Sequence, residues 1–191
     1  MEKRIVLTRK MQGIIDAINH DRQGLLSAVA GLSEAQLDHR PAEGQWSISD
    51  ILHHLALVEE ANQRLFGMML GKAAENSAPP DAAPDASVLD CADPFRNALV
   101  NPDNKVTAPE RVRPLAPLSA REGLARLAAA REKTTEAAGQ LGRYDLSHLK
   151  WPHPVLGELN LYQWFVVVGL HERRHTTQIN RIKANPDFPR Q

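Results

Sequence analysis

The segment Gly169-Leu-His-Glu-Arg-Arg-His-Thr-Thr-Gln-Ile-Asn-Arg-Ile182 decides how this chain is interpreted. It continues the apolar run Phe165-Val-Val-Val-Gly-Leu170 and is predicted to be helical. His171 and His175 are four residues apart, so on a helix their Cβ atoms lie about 5–6 Å apart on one face. Two imidazoles at that separation can bind the same metal ion, with bonds of about 2.0–2.1 Å.

A third histidine, His54, lies near the start of another segment that is predicted to be helical. It falls on the same side as Ile51 and Val58, so we expect His54 to face the core and its neighbour His53 to face outward. A metal ion held by three neutral imidazoles keeps an open position for water or a substrate, which is typical of working rather than structural sites. The sequence therefore predicts a metal site with the ligands His54, His171 and His175.

Four segments with a helical repeat of apolar residues predict four helices of about 20 residues each. They extend from about Leu7 to Ala30, from Ser47 to about Gly71, from Ser119 to Gly142 and from about Asn160 to Lys183. Ser119 with Glu122 and Asn160 with Gln163 have the spacing of side-chain caps at helix starts. No segment shows the clean alternation of apolar and polar residues that predicts a strand.

The connection between the second and third helices is long. Residues 72–117 hold eight of the 13 prolines and show no sustained periodicity, as in a lid, the border of a site or a partly disordered segment. Phe95, Leu99 and Val100 suggest that part of this loop packs against the bundle. We therefore expect one domain over residues 1–191, an all-α antiparallel four-helix bundle with a long irregular crossover between helices 2 and 3.

Composition narrows the range of functions. Lys plus Arg and Asp plus Glu are both 23, which gives no net charge and no electrostatic reason to bind nucleic acid. No apolar run approaches the roughly 20 residues of a membrane-spanning helix, and the charged N-terminal segment has no apolar signal-peptide core. Cys91 is the single cysteine, so no intrachain disulfide can form and we expect a cytoplasmic protein.

The string His171-Glu172-Arg-Arg-His175 matches the H-E-x-x-H motif of zinc metalloproteases. Those enzymes take their third ligand from downstream, but residues 176–191 contain no His and no Glu. The sequence therefore disfavours a protease and places the third ligand upstream. Glu172 lies about 100° around the helix from His171; it fits either an exposed charge that keeps the helix soluble or a residue of the pocket.

Four further residues are candidates for the surroundings of the metal, and no residue is assigned a catalytic role. Gln178 shares the helical stripe of both histidines and can either orient a ligand or be an ordinary polar residue at the mouth of the bundle. Glu59 and Asn62 lie further along the second helix and can approach the same cavity. His153 lies next to prolines between two tryptophan-bearing segments and can border the site.

Taken together, these motifs resemble the DinB-like (YfiT-like) metalloprotein superfamily over nearly the whole chain. The resemblance rests on Trp46-Ser-Ile48 followed by His54-Leu55 and Glu59, and on His153-Pro with Gly157 and Leu159 followed by His171 to His175 and Gln178-Ile179. It implies a four-helix bundle in which three histidines, here His54, His171 and His175, bind one divalent metal ion near a cavity. Zinc and nickel are the usual metals, and homodimers are common.

The resemblance also implies the classes of activity to consider. Similar proteins include thiol-dependent S-transferases and others regarded as metal-dependent hydrolases. We expect a small-molecule substrate, and the favoured hypothesis is transfer of a low-molecular-weight thiol that the metal deprotonates. The alternatives are hydrolysis by a water activated at the same position and a non-catalytic metal-binding stress protein. The sequence does not separate the two reactions, because both need the same three histidines.

Overall fold

The computed structural model describes residues 5–75 and 106–190, and helices form most of that part. In chain order the helices are α1 (Arg9–Val29), the short α2 (Glu34–Leu37), α3 (Ile48–Glu75), α4 (Ala120–Leu141) and α5 (Leu161–Lys183). A 3-10 turn (Glu110–Val112) precedes α4, and the strands β1 (Lys150–His153) and β2 (Gly157–Asn160) lie between α4 and α5. The predicted all-α bundle of four long helices is confirmed.

The ends of the helices follow local signals in the sequence. Ser119 with Glu122 and Asn160 with Gln163 each form a reciprocal capping box at the start of α4 and α5, which satisfies backbone N–H groups that have no partner within the helix. Gly31 follows the end of α1 with φ of 73°, a conformation that glycine adopts without steric cost. These boundaries were predictable because each depends on residues within one turn of the helix end.

Helix α3 is longer than predicted, since residues 72–75 of the expected loop continue it to Glu75. The segment Lys72-Ala-Ala-Glu75 consists of strong helix formers, and Ala73 is buried against the core. Residues 76–105 of the predicted loop, with Cys91, Phe95, Leu99 and Val100, lie outside the described residues.

In one half of the bundle, α1 and α5 run parallel. Ile18 of α1 lies against Gly169 of α5. Further along both helices, the Nζ of Lys183 donates to the carbonyl oxygen of Ala28 at 2.7 Å. Because both contacts advance in the same direction along the two helices, the pair is parallel.

In the other half, α3 and α4 also run parallel. Leu52 of α3 lies against Gly123 of α4, and the Gln63 side chain donates to the carbonyl oxygen of Ala130 further along. With 28 residues, α3 is about 42 Å long. A parallel neighbour can start only after the chain has returned over that length, which explains the long crossover before α4.

The two halves are antiparallel to each other. Near the start of α3, His54 meets His171 in the middle of α5. Near the end of α3, the Phe66 ring stacks on Phe165 at the start of α5, with centroids 4.0 Å apart. The bundle therefore combines parallel neighbours within each half with opposite directions between the halves.

A layer of buried polar side chains divides the core. One apolar cluster surrounds Phe66 and Phe165, and the other surrounds Ile51 and Ile179. Between them, each long helix contributes one buried charged residue: Arg22, Glu59, Arg131 and Glu172. In residues 5–75 and 106–190, no helix is long and apolar enough to cross a membrane.

The expectation that His53 faces outward was wrong, since only 8% of the residue is exposed. Helix α4 packs closely on this side of α3, because Gly123 has no Cβ to hold the helices apart. Burial, followed by the charge of Arg126, lowers the pKa of His53.

The β-hairpin was not predicted. Strands β1 and β2 are antiparallel, with Trp151 opposite Leu159 and His153 opposite Gly157. Each strand has four residues, and Pro152 and Gly157 are both unfavourable in strands, so local propensity gave no signal. The hairpin is attached to α5 through a hydrogen bond from the Leu161 N–H to the Leu149 carbonyl.

We expect Gly169→Ala to destabilise the protein by about 1–3 kcal/mol, because the added methyl overpacks the contact between α1 and α5. A Cβ at this position would lie 2.8 Å from Asp21 Oδ2 and 3.0 Å from Ile18 Cα. The matched control is Gly67→Ala in α3, where no atom lies within 4 Å; it should stabilise by about 0.5–1 kcal/mol. Urea unfolding of both variants tests the close packing, and equal stabilisation of the two would contradict it.

Candidate metal centre

Three imidazoles from two helices converge at one point. His54 comes from α3, and His171 and His175 come from successive turns of α5. The Nε2 of His171 lies 3.4 Å from the Nε2 of His54 and 3.2 Å from the Nε2 of His175. One ligand atom from each of the three rings lies within 4.8 Å of the others, which is a separation that a single metal ion can bridge.

In the rings of His54 and His175, hydrogen bonds fix which nitrogen carries the proton. His54 Nδ1 lies 2.7 Å from the carbonyl oxygen of Val112, and a carbonyl oxygen can only accept. His175 Nδ1 lies 2.8 Å from Oε1 of Gln178, which also accepts. Both neutral rings therefore carry hydrogen on Nδ1 and direct an Nε2 lone pair toward His171. Two lone pairs that converge beside a third imidazole are the donors that a metal ion needs, so this donor set fits a metal ion.

The surroundings keep these rings neutral. Burial lowers the pKa of His54 and lowers that of His175 to about 3, with a further contribution from His54. Burial, followed by the charges of His175 and His54, holds the pKa of His171 well below its ordinary value. Since a protonated imidazole cannot bind a metal, the low pKa values favour the state that can.

Two features position the rings. The 3-10 turn at the end of the crossover provides the Val112 carbonyl that orients His54. Trp46, in the loop before α3, packs its ring on the same group, with its centroid 4.8 Å from that of His54 and 6.5 Å from that of His175. Connections at both ends of α3 thus support one imidazole.

A cavity of about 830 Å³ opens beside the three histidines. Its apolar lining includes Trp46, Val58, Trp164, Val167 and Val168, and four arginines also line it, Arg111, Arg113, Arg174 and Arg181. A cavity of this size and mixed lining is typical of a site for a small organic molecule.

The candidate pocket residues all reach this cavity: Gln178, Glu59, Asn62, His153 and Glu172 line it. Their contacts differ. Gln178 accepts a hydrogen bond from His175, whereas Glu59 and Glu172 take part in ion pairs. Asn62 is buried, with 8% of the residue exposed.

Glu172 is not an exposed helix charge, because only 2% of it is accessible. Its Oε1 accepts from both Arg22 and Arg131. Glu59, on α3, pairs with the same two arginines, at 2.6 Å from Arg22 and 2.9 Å from Arg131. These four residues form a charge-balanced quartet with one member from each long helix.

Sequence reasoning missed Arg22 and Arg131. A signal was present, since Arg22 lies four residues after Ile18 and three before Leu25, on the apolar stripe of α1. An arginine on a buried stripe needs a buried acid, but the sequence could not show which one. The partners of Arg22 are 37 and 150 residues away along the chain.

Comparison with known proteins agrees with this architecture. The model of the DinB superfamily matches residues 17–179, so the chain belongs to that superfamily. The uncharacterized protein YuaE of Bacillus subtilis (strain 168) is 27% identical over 166 residues, which make up 86% of this chain and 94% of that protein. The structure of YfiT from Bacillus subtilis, described as a probable metal-dependent hydrolase with an unusual four-helix bundle topology, is similar at a TM-score of 0.59 and 15% identity. The similarity to YfiT covers 99% of this chain and 95% of that one.

We expect Arg131→Met to destabilise the protein by about 3–5 kcal/mol, because it leaves two buried carboxylates to share Arg22. The control is Arg126→Met, which removes an arginine from the same helix whose pairing with Glu60 is partly exposed; it should cost about 1 kcal/mol or less. Denaturant unfolding at neutral pH measures both. Equal losses in the two variants would show that the quartet is not a special source of stability.

Proposed function

We propose that this chain is a metal-dependent enzyme in which His54, His171 and His175 bind one divalent cation beside the substrate cavity. The observation that carries the proposal is the convergence of three Nε2 atoms at the wall of a cavity of about 830 Å³. When bound, the cation would polarise a carbonyl group and acidify a water or a thiol at its open position. Zinc or nickel suits three imidazoles.

Hydrolysis of a small ester or amide is the reaction we put first. The description of YfiT as a probable metal-dependent hydrolase supports it, as does the apolar wall, which can hold the organic part of such a substrate. The protein residues supply binding and orientation. Val112 and Gln178 hold the imidazoles of His54 and His175 in the required tautomer. The valine side chains of α5 form an apolar wall on one side of the cavity.

Transfer of a low-molecular-weight thiol is the second candidate, and one observation favours it. The two carboxylates that line the cavity, Glu59 and Glu172, both pair with Arg22 and Arg131. Both oxygens of Glu59 and Oε1 of Glu172 already accept hydrogen bonds from these arginines, so three of the four carboxylate oxygens are not free to take a proton from water. A thiol is more acidic than water and depends less on such a base.

The purified protein should contain about one equivalent of divalent metal per chain, and His54→Ala and His171→Ala should lose most of it. The control is His148→Ala, because the side chain of His148 is 89% exposed and should have no effect on metal content. Elemental analysis of the four proteins, with circular dichroism to confirm folding, measures this. Full metal content in a folded His54→Ala variant would overturn the proposed ligand set.

The two reactions can be separated by turnover. We expect the metal-loaded protein to hydrolyse nitrophenyl esters without added thiol, and His171→Ala to reduce the rate to background. The parallel assay uses 1-chloro-2,4-dinitrobenzene with glutathione, bacillithiol or mycothiol. Turnover only in the presence of a thiol would replace hydrolysis by S-transfer. Rates that His171→Ala leaves unchanged in both assays would reject a metal-dependent enzyme.

A further inference from the structure

His153 is held by the turn of the β-hairpin in one tautomer. It ends β1, and its Nδ1 accepts hydrogen bonds from the backbone N–H groups of Val155 and Leu156, both at 3.2 Å. An atom that accepts from two N–H groups must carry a lone pair, so the neutral ring carries its hydrogen on Nε2. The three-residue turn before Gly157, which has φ of 76°, brings both donors to the ring.

The ring of His153 forms part of the wall of the cavity. It packs on Trp164 with centroids 5.0 Å apart and lines the same cavity as the three histidines. The side chain is thus within the proposed substrate site but outside the group of metal ligands.

His153 carries its hydrogen on the opposite ring nitrogen from His54 and His175. His54 and His175 donate through Nδ1 to the protein and turn an Nε2 lone pair to the site. His153 accepts at Nδ1 and is left with an N–H at Nε2. Within residues 5–75 and 106–190, no acceptor faces that N–H. A half-buried donor at the wall of a cavity, with no protein acceptor, is suited to an acceptor on a ligand.

The environment also keeps this donor neutral. Burial lowers the pKa of His153 to about 4. Protonation would in addition place a hydrogen on Nδ1, where two backbone N–H groups already point. A neutral imidazole that donates from Nε2 can polarise a carbonyl without transferring a full positive charge to the site.

We propose that His153 is a substrate-binding residue whose Nε2–H donates to a carbonyl or carboxylate oxygen of the molecule in the cavity. This inference rests on the proposed function and narrows its substrate to compounds that present such an oxygen near the three histidines. A carbonyl oxygen that gains negative charge during the reaction would receive a stronger hydrogen bond from this donor. The same reacting group would then lie between the nitrogen lone pairs of the three candidate ligands and the Nε2–H of His153.

The first test concerns the tautomer and does not require a metal. Long-range proton–nitrogen correlation spectra of the full, nitrogen-15-labelled chain report which nitrogen of His153 is protonated, and His153→Phe assigns the signals. We expect hydrogen on Nε2 and none on Nδ1, without change between about pH 5 and pH 8. Hydrogen on Nδ1, or protonation of the ring within that range, would overturn the proposal.

The second test measures recognition of a carbonyl oxygen with benzohydroxamate as the probe and zinc-loaded protein. His153→Phe keeps a ring on Trp164 but removes the donor, and we expect the Kd for the probe to rise about tenfold. His153→Gln keeps an amide N–H near the position of Nε2 and should stay within about threefold of the unchanged protein. His148→Gln, which alters an exposed histidine outside the cavity lining, is the control.

The outcomes separate this inference from the function on which it rests. Suppose that both the unchanged protein and His153→Phe bind zinc and have the same Kd for benzohydroxamate. That result would reject the donor role and leave the metal site in place. Failure of the unchanged protein to bind zinc would reject the proposed function, and the tautomer spectra would still test the orientation of His153. A loss of affinity in His153→Phe that His153→Gln restores would support both.

Discussion

The packing of the bundle depends on four buried charges that meet at its centre, one from each long helix. Arg22, Glu59, Arg131 and Glu172 are each less than 9% exposed and are joined by direct ion pairs. Burying an ion costs several kcal/mol, which only close partners with good geometry can offset. Sliding or rotating any one helix would separate its charge from two partners, so the quartet favours one relative arrangement of the four helices.

The same arrangement positions the candidate metal centre. Glu172 is the residue after His171, and Glu59 lies five residues after His54 on α3. The ion pairs that hold these carboxylates therefore also fix the turns of α3 and α5 that carry the imidazoles. Because the apolar clusters lie on either side of this layer, the polar groups that chemistry requires are concentrated at one level of the bundle. The fixed geometry of this layer orients the nitrogen lone pairs of the histidines before any ligand binds.

Chain direction explains why segments outside the helices reach the site. With α3 and α4 parallel, the crossover has to return along the bundle before α4 begins. The described end of this crossover places the Val112 carbonyl on His54, and the loop before α3 places Trp46 on the same ring. The hairpin before α5 similarly brings His153 to the cavity. Connections that a simple up-and-down bundle would keep short thus contribute to the lining of the site.

The sequence by itself determined the helices, their capped ends and the pairing of His171 with His175, because each depends on residues within a few positions of one another. It also indicated that His54 faces inward, from its place on an apolar stripe. Only the tertiary structure brought His54 to the other two, assigned the proton-bearing nitrogens, buried His53 under α4 and paired Arg22 with Glu172 across 150 residues. Those features depend on how helices far apart in sequence pack, and local periodicity carries no information about which distant side chain completes a hydrogen bond or an ion pair.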